Sequence, residues 1–68
     1  MVKLILKFRD GTSTELEARP QEILDAQALL VDQWARFKRN QADNHGKITV
    51  DERVWHIKLP QLVSIERV

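Results

Sequence analysis

Between Pro20 and Gln41 runs the one long helical pattern in the chain, and it limits the possible folds more than any other feature. At about 100° per residue, Ile23, Ala26, Leu30, Trp34 and Phe37 fall within a narrow arc. Leu24, Ala28, Val31 and Ala35 widen that arc on one side. Glu22, Asp25, Asp32, Gln33, Arg36, Arg39 and Asn40 take the opposite face, and Leu29 stands out as an apolar residue among them. An apolar arc close to half the circumference exceeds the narrow seam between two helices. No second helical pattern is present, so this face is expected to lie across a sheet.

The helix start carries Pro20, whose missing N–H suits the first helical position, but no Ser, Thr, Asp or Asn cap precedes it. Glu22 in the first turn and Lys38 and Arg39 in the last complement the helix dipole. Asp32 and Arg36 have the spacing of a surface ion pair. The end is expected between Gln41 and Gly46, with Asn44 or Gly46 in the left-handed closing conformation.

The rest of the chain alternates. Val2, Leu4, Leu6 and Phe8 share one side of a first strand, with Lys3, Ile5, Lys7 and Arg9 on the other. A two-residue Asp10-Gly11 turn would set Leu4 against Glu17 and Leu6 against Glu15, mixing the faces. A three-residue loop, Arg9-Asp10-Gly11, with Gly11 left-handed as a bulge, pairs Leu4 with Leu16, Val2 with Ala18 and Lys3 with Glu17. Beyond the helix, 47–50 reads as a short strand, Asp51-Glu52 as a turn and 54–59 as a further strand. A loop of Pro60, Gln61 and Leu62 then pairs Leu59 with Val63 and Ile57 with Ile65.

The expected architecture is therefore α+β, in the order β-β-α-β-β-β. A four- or five-stranded, mainly antiparallel sheet carries the helix on one face, with the first strand central and the last beside it. Residues 1–68 are expected to form one small domain, since a chain of 68 residues leaves no room for two.

Several function classes find little support in the residues. Eleven basic against ten acidic residues leave a net charge of +1, which alone makes no electrostatic case for nucleic acid. There is no cysteine, hence no disulfide framework and no thiol chemistry. His45, in a polar loop, and His56, on the outward side of a strand, have no metal-ligand spacing. Gly11 and Gly46 form no phosphate-cradling loop, and no base is positioned beside Ser13, Thr12 or Thr14. An enzyme, a cofactor and a metal site are not expected. Neither a membrane span nor a signal peptide is legible, and a cytoplasmic location is the expectation.

Two kinds of binding remain. Ile5 and Leu29 are apolar residues on faces otherwise polar, each ordinary alone, and together they are candidate contacts for a protein partner or a second copy. Arg36, Lys38, Arg39 and Lys47 form a basic group around the helix end, the candidate contact for nucleic acid. A second basic set, Lys3, Lys7 and Arg9 with His56 and Lys58, is offset by Glu15, Glu17 and Glu66 on the same sheet face. Phe8, Trp34, Phe37 and Trp55 fall on core faces, leaving no aromatic residue to stack on bases.

The opening Val-Lys-Leu-Ile-Leu-Lys-Phe-Arg-Asp-Gly-Thr, the central helix and the closing Ile-Lys-Leu-Pro-Gln-Leu-Val-Ser-Ile-Glu look like short phage- or prophage-encoded proteins of Gram-positive bacteria. Most such proteins have no assigned activity, and those with known roles tend to bind and redirect a host protein. The order also resembles immunoglobulin-binding domains of the β-grasp type, from which the longer helix and the Pro60 turn depart. Residues and resemblance together imply a non-enzymatic protein-binding module, with an unidentified protein or a second copy (a homodimer) as partner. A nucleic-acid-binding accessory protein is the alternative.

Overall fold

The computed structural model describes residues 1–40 and 44–68. β1 (Val2–Phe8) and β2 (Ser13–Ala18) form the opening hairpin, and α1 (Pro20–Lys38) follows. Then come β3 (His45–Val50), β4 (Arg53–Lys58), a single 3₁₀ turn (Leu59–Gln61) and β5 (Leu62–Arg67).

The first hairpin has the bulged register. Val2 faces Ala18, Lys3 faces Glu17 and Leu4 faces Leu16. Phe8 N–H donates to the Thr12 carbonyl at 3.0 Å, closing a three-residue loop around Gly11, whose φ is +89°. A left-handed residue at that position lets the strands keep their twist, and glycine takes it without a Cβ clash. Asp10 completes the turn by accepting from the Thr12 N–H at 2.9 Å and the Thr12 Oγ1–H at 2.6 Å.

β1 is the centre of a three-stranded antiparallel sheet ordered β2-β1-β5. β3 and β4 do not extend it; they form a separate two-stranded ribbon, so the single sheet expected from alternation is split in two. The expected pairing of Leu59 with Val63 and Ile57 with Ile65 is not formed. Instead Leu59 is buried, and its N–H donates to the Asn44 carbonyl at 3.0 Å, which prolongs the β3–β4 ladder. Pro60, which has no N–H to give a ladder, sits in the 3₁₀ turn that carries the chain across to β1. Ile65 then pairs with Leu6 and Arg67 with Leu4. A register shift between Lys7 and Phe8 places Leu62 opposite Phe8, so Leu62 is buried and Val63 is 53% exposed. Val63 was expected on the inward side with Ile65, and the bulge turns it out.

β3 begins at His45, two residues before the expected 47–50, which puts His45 and Gly46 in a strand rather than a loop. Its turn, Asp51-Glu52, has φ of 53° and 61°, the left-handed pair that a two-residue hairpin requires. β4 opens at Arg53.

The helix also ends earlier than expected, at Lys38 rather than between Gln41 and Gly46. Arg39 N–H reaches the Ala35 and Arg36 carbonyls and Asn40 N–H the Phe37 carbonyl, with Asn40 left-handed at φ 59°. Asn40 thus takes the closing role expected of Asn44 or Gly46. Gln41, within the expected helix, lies outside the described residues. No side chain caps the start, where Arg19 holds the N-cap position.

One core joins both sheets to the helix. Leu4, Leu6 and Leu16 from the first sheet meet Ile48, Val50 and Ile57 from the ribbon, with Ile23, Ala26 and Leu30 from α1. Trp34, Phe37, Trp55 and Phe8 pack half-buried against it.

Candidate interaction surface

Which flank of α1 is buried follows from two polar residues. Gln33 donates from Nε2 to the Lys47 carbonyl at 2.9 Å, and its Oε1 accepts the Lys47 N–H at 2.7 Å. Glu22 accepts the Asp51 N–H with Oε1. A Gln amide carries a donor and an acceptor side by side, as a peptide group does, and here it pairs with the outer edge of β3 as a neighbouring strand would. Glu22 and Gln33, expected to face solvent, are therefore half-buried and roll the helix toward the ribbon.

That roll leaves the other flank bare. Leu24 is 42% exposed and Val31 44%, with Ala28 exposed between them. These are residues the helical period assigns to the buried arc. Residues 24, 28 and 31 stand one above another on a helix, so they make one apolar stripe. The stripe lies on the side of α1 nearest β5, where Arg67 donates from Nη1 to Gln27 Oε1 at 3.4 Å. β5 is the edge of its sheet, with Ile65 half-buried and Val63 exposed. The site thus consists of an apolar helix flank beside a strand edge that pairs with no other strand among the described residues, and periodicity alone conceals it.

Ile5 and Leu29 are not brought together. Ile5 is half-buried on the face of the sheet away from the core, with Glu15 and Glu66 opposite it on either side. Leu29 is 49% exposed on the other flank of α1, lining a cleft of about 430 Å³ with Glu22, Asp25, Ala26, Lys47 and Thr49.

The basic residues are also dispersed. Arg36 Nε lies 3.1 Å from an Asp32 carboxylate oxygen, the ion pair expected from their spacing. Lys38 Nζ sits 3.7 Å above the Trp34 ring, a cation–π contact on a different side of the helix. Arg39 is exposed at the helix end, and Lys47 belongs to the ribbon. The denser basic surface is one the sequence does not announce: on the ribbon's exposed face Lys47 lies opposite His56 and His45 opposite Lys58. Only the β3–β4 register puts these four together.

A second cleft, of about 400 Å³, is lined by Phe8, Asp10, Thr12, His56, Lys58 and Gln61. Its carboxylate is already engaged. The Thr12 hydroxyl, then the Thr12 N–H, hold the Asp10 carboxyl below its ordinary range, with a smaller contribution from Lys58. Such an Asp is a turn-closing acceptor, poorly suited to taking a proton from a substrate. Among the described residues no group of three or more His, Asp or Glu is placed to hold a metal ion. No helix among them is long and apolar enough to cross a membrane. No known protein family, curated protein or solved structure matches the chain.

Proposed function

We propose that this chain is a small non-enzymatic protein-binding module, working through the Leu24–Ala28–Val31 flank of α1 and the adjoining edge of β5. The observation that carries the reading is the exposure of Leu24 and Val31 in one stripe on a helix whose polar residues Gln33 and Glu22 are turned inward. Apolar side chains grouped at a surface, beside strand donors and acceptors without partners, are what a protein ligand covers. The likeness to short phage-type proteins that bind host proteins agrees with this use.

A photo-cross-linking residue at position 31 tests it, with position 3, on the outward face of the sheet, as control. A protein adduct, with itself or another protein, is expected at 31 and absent at 3. Equal yields at the two positions would remove the reading.

The second reading, nucleic-acid binding, rests on the register of the ribbon, which sets Lys47 opposite His56 and His45 opposite Lys58 on one exposed face. Two lysines on one exposed face offer charge to phosphates, and the histidines beside them offer ring N–H donors. This reading moves the nucleic-acid surface from the helix end to the ribbon. It requires a shift of labelled DNA or RNA that weakens steeply with salt and is lost in Lys47→Ala/Lys58→Ala.

A further inference from the structure

We infer that the partner of this surface is a second copy of the chain, joined edge to edge through β5 about a twofold axis at Ile65. The inference rests on the protein-binding reading above.

The β1–β5 ladder decides which β5 groups are free. Lys3 and Val68 exchange two backbone hydrogen bonds, at 3.0 and 2.9 Å. In an antiparallel pair such residues alternate with ones whose N–H and C=O point away. Val68, Glu66 and Ser64 therefore address β1, while Arg67 and Ile65 present their backbone groups outward. Two β5 edges brought together antiparallel, with Ile65 on the axis, exchange both Ile65 hydrogen bonds. The result is a continuous sheet in the order β2-β1-β5-β5-β1-β2.

The side chains favour this register over its neighbours. With the axis at Ile65, Ser64 falls opposite Glu66 of the second copy, a hydroxyl donor against a carboxylate, and Ile65 meets Ile65 on the helix side. An axis one residue further on sets Glu66 against Glu66, and the next sets Arg67 against Arg67, both repulsive. In the other direction the bulge at Val63 interrupts the strand. The edge is thus self-complementary in charge at the one register where its backbone groups also match.

The helix flank follows. A twofold normal to the sheet keeps both helices on the same side, so each Leu24–Ala28–Val31 stripe faces the other across the axis. Two other edges, those of β3 and β2, are less suited to a second copy. The outer edge of β3 already gives its Lys47 groups to Gln33 and its Asp51 N–H to Glu22. β2 carries Glu15 and Glu17, the kind of charge that guards an edge.

The chain has no cysteine, so Ile65→Cys introduces a single thiol. Paired residues on such an axis have Cα atoms about 5.5 Å apart, inside the roughly 4.4–6.8 Å range of a disulfide. Mild oxidation should link Ile65→Cys into a covalent dimer and leave Leu29→Cys unlinked. Light scattering of the unaltered protein should give twice the 8.0 kDa chain mass, resistant to salt. Leu24→Glu/Val31→Glu should return to the single mass with unchanged circular dichroism. A monomer throughout, or a dimer in which Leu29→Cys links and Ile65→Cys does not, would overturn the inference. If the protein is monomeric yet position 31 cross-links to a different protein, only self-pairing falls. If position 31 also gives no adduct, the protein-binding reading falls with it.

Discussion

Gly46→Ala should destabilise this protein, although glycine in a strand is usually improved by alanine. Its ordinary effect is a gain of about 0.4–1 kcal/mol from a less flexible unfolded chain. Here a Cβ at position 46 would come 2.9 Å from Leu59 Cδ2, 3.0 Å from Gln33 Oε1 and 3.2 Å from Leu30 Cδ1. Leu59 and Leu30 are buried in the core and have little space to retreat into. Forcing a methyl into such a site costs about 1–3 kcal/mol. Gln33 can swing away more easily, but only by giving up its two bonds to Lys47, each worth about 0.5–1.5 kcal/mol net. The balance is a loss of roughly 2 kcal/mol, which in a domain this size lowers the melting temperature by about 8–16 °C. Urea denaturation should show a lower midpoint with an unchanged slope. In a Gln33→Ala background the cost of Gly46→Ala should shrink, because one of the three obstructing atoms is gone and its hydrogen bonds are already lost. Gly11→Ala, with nothing within 4 Å of its Cβ, should cost only its left-handed backbone strain and be indifferent to Gln33. A Gly46→Ala protein as stable as the parent would refute the packing of β3 against Leu59 and Leu30.

Three further outcomes follow from single contacts. Gln33→Ala should cost about 1–3 kcal/mol and speed amide exchange at Lys47; unchanged exchange there would mean the side chain does not hold the β3 edge. Glu52→Gly should stabilise the hairpin by up to about 1 kcal/mol, since its φ of 61° suits glycine, and a lower urea midpoint would contradict that turn geometry. Folding lowers the Asp10 pKa, chiefly through the Thr12 hydroxyl, so its contribution to stability is present above the unfolded value and lost as pH falls through the folded one. The NMR titration midpoint of Asp10 should rise toward the ordinary carboxylate value in Thr12→Val, and a static midpoint would rule out that hydrogen bond.

The parts of the fold legible in advance are those set by neighbours in the chain. The bulged β1–β2 register follows from matching Leu4 to Leu16 and Lys3 to Glu17 across a loop that needs one left-handed residue. The helix from Pro20, its inward Ile23, Ala26 and Leu30, and the Asp51-Glu52 turn rest on the same local information. The interaction surface was far less visible. Leu29 is exposed as its position among polar residues implies, but Leu24 and Val31 read as core.

Alternation and helical period are properties of a segment by itself, and they determine its type and its apolar side. They carry nothing about which segment lies next to it. The choice of β1 over β4 as the partner of β5 was made by Leu59 entering the core and Pro60 turning the chain away. The roll of the helix was made by Gln33 and Glu22, whose partners Lys47 and Asp51 lie 14 and 29 residues further along. A polar side chain that pairs with a distant backbone edge adds about 0.5–1.5 kcal/mol per hydrogen bond, a contribution that the apolar count of its own helix does not contain. The first strand's central place beside the last was legible, whereas the split of the sheet, the helix flank left bare and the ribbon that gathers His45, Lys47, His56 and Lys58 are decisions of the assembled structure.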